Sequence, residues 1–324
     1  MRKLLARSLA CLFAFFALSQ AALSQAPPGT PARIEVHPLQ SRTLNEAEFL
    51  NGDKGGKPVL LAGELRLPQG QGSKFPAVVL VHGSGGVNGA ADLWVHSFNE
   101  NGIATFVLDT FSGRGITSTV QDQTQLHSLA MMVDAYKALD MLAKHPRIDS
   151  SKISIIGFSK GAVASIFSSS TRFQAMYGGN AKFASHVGLY TPCNTRFLGD
   201  TTVTGAPMRF FHGTTDDYVS VVPCRAFVQE LKQRGVDVAL TEFPDTEHGY
   251  DNALSPKRVT VPTAQSTRNC KFVEESTGNI VNSESHKPFS YADPCVATGA
   301  HIGHNPDSTK KTVSAVMEFI KGLK

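Results

Sequence analysis

Three short apolar runs, Ala77–Val81 within "FPAVVLV", Ile103–Asp109 ("IATFVLD") and Ile153–Gly157 ("ISIIG"), show no alternation of apolar and polar residues. A strand without a polar face must be covered on both sides, which is the condition of a strand inside a parallel sheet. Between the second and third runs, apolar residues recur at Leu126, Leu129, Val133, Tyr136, Leu139 and Leu142, the spacing of one helical face. The alternation extends further. Strands are expected at Arg33–Leu39, Val59–Leu67, Phe183–Leu189, Met208–Phe211 and Val238–Phe243, and helices at Ala91–Asn101, Val222–Arg234 and Thr309–Lys321. Such a series predicts an α/β fold with a mostly parallel, doubly wound sheet and helices on both faces. It occurs once and without internal repeat, so a single domain over 27–324 is expected. The stretch from Ser255 to Gly303, rich in Ser, Thr, Asn and Pro, is too long for a bare connection and is expected to be a structured excursion at about 255–303.

The chain of 324 residues has a formal charge of +4, and Arg2, Lys3 and Arg7 supply three of those charges in an acid-free opening. The remainder carries +1 and no basic cluster, which argues against nucleic acid as a partner. That opening continues into an apolar run from Leu9 to Leu18 and then small residues, the layout of a secretory signal peptide spanning residues 1–26, with cleavage after Ala21 or Ala26. The run is shorter than the roughly 18 residues a bilayer span needs, so the mature chain is expected to have no membrane span. The expected location is secreted, or periplasmic in a Gram-negative source. Cys11 falls in the discarded segment.

"ISIIGFSKGAVAS" places Ser159 between Gly157 and Gly161 at the end of a buried strand. Gly-x-Ser-x-Gly alone is weak, but at a strand-to-helix turn it has the form of a nucleophile elbow, where bulky neighbours would collide. A serine hydroxyl needs a base, and the base an orienting acid. Two later strands end in polar turns that supply them: "MRFFHGTTDDYVS" offers Asp216 and Asp217, and "ALTEFPDTEHGYDN" offers His248. Both turns lie at carboxyl ends of strands, where open α/β sheets place their sites. His82 and His212 are expected to be structural, His186 to sit at the wrong end of its strand, and His286, His301 and His304 to be surface residues.

With "VVLVHGSGGVNG", "LDTFSGRGI", "IIGFSKGA", "FHGTTDDYV" and "EHGYDN" in that order, the chain resembles the dienelactone hydrolase family of the α/β-hydrolase fold. Family members often carry Cys as the nucleophile, and this chain has Ser159 there. The resemblance therefore implies an ordinary serine hydrolase and weakens any claim on dienelactones. Matching the family's G-x-x-D-x-x-V turn selects Asp216 over Asp217. Matching the "GGVN" end of the glycine-rich loop puts one oxyanion donor at the Ser84 backbone N–H, with the Lys160 N–H as the other. The Lys160 side chain, opposed to the dipole of its own helix, is expected to be solvated. Arg114 is a candidate clamp for a substrate carboxylate, against a salt bridge to Asp109 or a neighbour. Phe111, Tyr190 and Tyr250 are candidates for the acyl pocket or for the core.

The expected activity is hydrolysis of a small-molecule carboxylic ester or lactone through an acyl-enzyme, with no cofactor. A peptidase or amidase would use the same parts, and a non-catalytic binding protein would lack a triad member. Four cysteines remain beyond Cys11, and no C-x-x-C pair or His/Cys cluster suggests a metal. Cys193 follows one strand and Cys224 starts the helix after the next, so Cys193–Cys224 is expected to brace the acid loop. Cys270–Cys295 would then close a flap beside His248.

Overall fold

The computed structural model describes residues 29–70 and 74–323, so the expected signal segment and Cys11 lie outside the described residues. Strands β1 (Arg33–Thr43) and β2 (Lys57–Leu67) flank the short helix α1 (Glu46–Leu50). Then follow β3 (Phe75–Val81), α2 (Ala90–Glu100), β4 (Ala104–Asp109), α3 (Ser128–Leu142), β5 (Ile148–Phe158), α4 (Lys160–Phe167), α5 (Thr171–Tyr177) and β6 (His186–Leu189). A two-residue strand β7 (Thr195–Arg196) precedes β8 (Met208–Gly213), α6 (Val222–Gln233) and β9 (Val238–Phe243). The excursion contributes β10 (Val259–Ser266), β11 (Phe272–Ser276), β12 (Asn279–Asn282) and β13 (Ala297–Ile302), and α7 (Pro306–Lys321) closes the chain.

Eight strands form one sheet in the order β1-β2-β4-β3-β5-β6-β8-β9. β2 runs antiparallel to both neighbours, and every pairing from β4 to β9 is parallel. The unbroken apolar runs occupy its centre because helices seal both faces. On one face α3, α4 and α6 bury Leu129, Leu139, Ala164 and Phe227, and on the other α2 and α7 bury Trp94, Phe98, Val316 and Ile320. α7 starts cleanly because Asn305 accepts from the Ser308 N–H (3.1 Å) and Pro306, lacking an N–H, occupies the first turn.

Register brings the functional turns level. Val81 pairs with Gly157, Phe158 with Leu189, Leu189 with Phe211, and Gly213 with Phe243. The loops after β3, β5, β8 and β9 therefore leave the sheet at one edge. The excursion is structured, as its length requires: β10 and β13 form an antiparallel ribbon, and the β11–β12 hairpin adds to β7.

Both expected disulfides are present, with Cα atoms 5.0 Å apart in Cys193–Cys224 and in Cys270–Cys295. One detail differs. Cys270 lies beside Asn194, whose amide donates to its carbonyl (3.3 Å), and it shares an apolar cluster with Cys193. The part of the excursion beside His248 is β13, through a bridge at Ile302, so the loop that the second disulfide closes is not the segment beside the histidine.

Candidate active site

β5 ends at Phe158, and Ser159 turns the chain into α4 with φ 51° and ψ −116°. That is left-handed backbone for a residue with a Cβ, a strain concentrated at functional turns. The turn is possible because its glycines leave room: a Cβ on Gly157 would lie 2.2 Å from the Gly161 carbonyl oxygen, and one on Gly161 2.2 Å from that of Val81. The elbow is pinned from β6, where the Leu189 carbonyl accepts the Ser159 N–H at 3.0 Å.

The Ser159 Oγ lies 3.0 Å from His248 Nε2, and His248 Nδ1 lies 2.8 Å from Asp216 Oδ2. The second oxygen of Asp216 accepts the backbone N–H groups of Tyr218 (3.0 Å) and Val219 (2.8 Å), so its turn locks the carboxylate in place. Burial alone would raise the Asp216 carboxyl. The charge of His248 and hydrogen bonds with His212 and His248 outweigh it and hold the group well below the usual carboxylate range. The His248 ring is wedged between Tyr190 (4.6 Å between centroids) and Tyr218 (4.8 Å). Its carbonyl accepts the Gly303 N–H at 3.1 Å.

The glycine-rich loop after β3 packs on the elbow, since a Cβ on Gly83 would approach that of Ser159 to 3.3 Å. His82 holds this loop as expected, with Nδ1 2.8 Å from the Gly83 carbonyl and Nε2 3.0 Å from the Thr110 hydroxyl. Ser84 stands beside Ser159 in the cleft, and Lys160 opens α4.

Several expectations need correction. Arg114 is spent on the fold: its guanidinium grips Asp134 through two bonds (2.7 and 3.1 Å) and also donates to Thr43, Thr110 and Arg42. Its partner is not Asp109, whose carboxylate caps the Phe111 and Ser112 N–H groups. Phe111 lies buried edge-on against His82 at 4.4 Å, and Tyr250 is fully buried with its hydroxyl on Thr312 (2.8 Å), so neither lines the cleft. Tyr190 does line it. His301 is not a simple surface group, because its ring and its backbone N–H both bond Asp217 at 2.7 Å. Lys160 is not solvated either. It is 6% exposed, and its ammonium donates to the Gln123 carbonyl (3.1 Å) and side-chain oxygen (2.9 Å). Burial pulls it down to about 7, with the charge of Asp122 working the other way.

His212 is structural as expected, and two further contributors, Asp251 and Gln123, escaped sequence reasoning. His212 Nε2 sits 3.3 Å from Asp216 Oδ2 and 3.0 Å from the Val219 carbonyl. Asp251, inside the "EHGYDN" segment, is fully buried and accepts from the Trp94 indole (2.7 Å) and the Tyr190 hydroxyl (2.8 Å), which fixes Tyr190 under the histidine. Gln123 links to Lys160 and to the Ser84 hydroxyl (3.1 Å), and no local pattern announces it.

The cleft divides at Ser159. One arm is lined by Leu80, Val87, Ala90, Val107, Phe158 and Ile302 and is largely apolar. The other, more polar, has Gln123, Lys160, Asn194, Gln265 and Arg268 along its wall. Outside the cleft, Glu35, His37 and His145 bring three ligand-type atoms within 4.8 Å of one another. His145 Nδ1 accepts the Arg147 N–H (3.2 Å), so the proton sits on Nε2, the atom that faces Glu35 at 3.2 Å. That tautomer suits a hydrogen bond and not a metal ligand.

Sheet order, elbow and the placement of acid and base on successive strand ends define an α/β-hydrolase. The sequence model of the dienelactone hydrolase family matches residues 61–275, and the chain belongs to that family, which places it among hydrolases of the ester type. No curated protein sequence matches the chain. Among solved structures, it is similar to a dienelactone hydrolase-like promiscuous phosphotriesterase from metagenomic libraries, with 16% identity, 90% of this chain and 98% of that one covered, and a TM-score of 0.58. It is also similar to a candidate dienelactone hydrolase from Klebsiella pneumoniae, with 10% identity, coverage of 89% and 99%, and a TM-score of 0.54. At these identities the likeness is one of fold.

Proposed function

We propose that the chain is an exported serine hydrolase that cleaves a carboxylic ester or lactone through an acyl-enzyme. The observation that carries this reading is the continuous relay from Ser159 Oγ to His248 Nε2 (3.0 Å) and from His248 Nδ1 to Asp216 Oδ2 (2.8 Å). His248 takes the proton as Ser159 Oγ bonds to the carbonyl carbon, and Asp216 holds the ring and stabilises the imidazolium that forms. The backbone N–H groups of Lys160 and Ser84 receive the oxyanion. Collapse expels the alcohol oxygen, protonated by His248. Water then attacks the acyl carbon, giving its proton to His248, and the acid leaves as Ser159 is restored. The two tyrosines that flank His248 hold its ring in place between Asp216 and Ser159.

Export is supported by the basic-apolar opening of the sequence and by two disulfides, which persist in oxidising compartments. Among the described residues no helix is long and apolar enough to cross a membrane. On this reading residues 1–26 are removed and 27–324 fold as one domain. A fluorophosphonate probe followed by peptide mapping tests the assignment, with esters, lactones and amides assayed in parallel. Label on Ser159 and loss of hydrolysis in Ser159→Ala are expected. A label on another residue, or full activity in Ser159→Ala, overturns it.

A further inference from the structure

Gln123 is a junction of three separate parts of the molecule. Its side-chain oxygen accepts from Lys160 Nζ (2.9 Å) on the helix after the nucleophile. Its amide nitrogen donates to Ser84 Oγ (3.1 Å) on the glycine-rich loop, and its backbone N–H donates to Gln265 Oε1 (2.8 Å) on β10 of the excursion. The Ser84 carbonyl is held from the same segment, by the Thr119 N–H (2.8 Å) and the Ser118 hydroxyl (3.2 Å). An ammonium only donates, so a charged Lys160 forces the amide oxygen of Gln123 toward itself and leaves the NH₂ facing Ser84. Among the described residues no carboxylate lies within ion-pair distance of Lys160. The buried cation thus spends its hydrogen bonds on one neutral residue, the main-chain carbonyl and the side-chain oxygen of Gln123, an uncommon use of a desolvated charge.

We infer that Gln123 is a positioning residue for the oxyanion loop, oriented by the Lys160 ammonium, and that this bridge, together with the anchors on the Ser84 carbonyl, sets the direction of the Ser84 backbone N–H. This rests on the reading of Ser84 as an oxyanion donor given above. The charged and titratable groups around Lys160 are Asp122 on the same turn as Gln123, His82 on the glycine-rich loop, and, along the polar arm, Arg268, Tyr218, Tyr291 and the Glu46–His127 pair (2.8 Å). Asp122 favours the charged amine, whereas burial disfavours it and brings its titration to about 7. Above that value the neutral amine can accept as well as donate, so the amide is no longer held to one orientation and the hold on Ser84 weakens.

The test compares steady-state kinetics on a p-nitrophenyl ester for the wild type, Gln123→Ala, Gln123→Glu and Ser159→Ala, with far-UV circular dichroism as a fold control. Since loss of one oxyanion donor costs about 10²–10³ in kcat, its misplacement in Gln123→Ala should cost about tenfold to hundredfold in kcat with KM nearly unchanged. In Gln123→Glu the carboxylate accepts from Lys160 and from the Ser84 hydroxyl, so kcat should recover to within a few-fold of wild type. It also holds Lys160 charged, so the alkaline decline of kcat should move to higher pH, which a merely structural role would not do. Wild-type kcat in a folded Gln123→Ala, or an alkaline limb unmoved by Gln123→Glu, overturns the inference while an inactive Ser159→Ala leaves the serine mechanism standing. If Ser159→Ala keeps its activity, the underlying reading falls first. A Gln123→Ala that does not fold leaves the decision to the pH profile of Gln123→Glu.

Discussion

Asp216 and Asp217 are adjacent in the chain and each bonds a histidine, yet their surroundings share little. The Asp216 side chain is 0% exposed and its histidine lies against the serine, whereas the Asp217 side chain is 41% exposed and its partner His301 30%. Asp216 is held by two backbone N–H groups of its own turn and by two histidines. The Asp217 carboxylate bonds His301 through ring and backbone, and so ties β13 of the excursion to the acid turn, while the Asp217 carbonyl accepts from Arg268 (2.6 Å). One aspartate faces the His248–Ser159 pair and the next fastens a wall beside it. Burial, and not the chemistry of the pair, separates the two surroundings: water screens the interaction at Asp217 and is kept from that at Asp216.

The contrast breaks most visibly in kinetics. Asp216→Asn should lower kcat on the order of 10³–10⁴-fold, while Asp217→Asn should stay within a few-fold. Comparable losses in ester hydrolysis by the two variants would erase the distinction. The disulfides sharpen it next. Each closes a loop (sequence separations 31 and 25), and its removal should cost roughly 3 kcal/mol of stability in urea unfolding. Replacing Cys193 and Cys224 by Ala loosens the approach to Asp216 and should also lower kcat, whereas the Cys270/Cys295 pair, on the side of the wall, should leave kcat within a few-fold.

Acid titration gives a smaller difference. The folded value of Asp216 is depressed, so its contribution to stability is complete above the ordinary carboxylate range and is lost as pH falls through the depressed value. Unfolding free energies measured from about pH 5 downward should therefore slope less steeply in Asp216→Asn than in wild type. The smallest effect belongs to the exposed pair. His301→Ala should change stability by no more than about 1 kcal/mol and leave kcat in place, as thermal melts and ester assays can verify.

What the sequence disclosed follows from range. The strands of the sheet were legible because unbroken apolar runs are a local signal, and Ser159, Asp216 and His248 because each closes such a run. The site's supports depend on contacts between distant segments. Gln123 meets Gln265 across 142 positions, and Arg114 meets Asp134 because α3 packs over β1 and the loop after β4. Nothing in "SGRG" states that its arginine is already occupied. Lys160 misled for a related reason. A lysine at a helix start reads as a surface residue, and only the fold buries it. His301 shows the same limit, since its partner lies 84 positions away.

β13 also has a consequence for how this hydrolase could diversify. The segment that matches the family ends at residue 275, and β12, β13 and α7 come after it. Ile302 nevertheless walls the apolar arm, and the neighbouring Gly303 N–H bonds the carbonyl of His248. The link to His248 is made by the main-chain N–H of a glycine, and only glycine fits there, since a Cβ on Gly303 would lie 2.0 Å from the Lys257 carbonyl oxygen. The loop between Cys270 and Cys295 is closed by its own covalent clasp. β13 lies outside that clasp and divides its tasks between neighbours: the side chain of Ile302 shapes the apolar arm, whereas Gly303, which steadies the histidine, has no room for one.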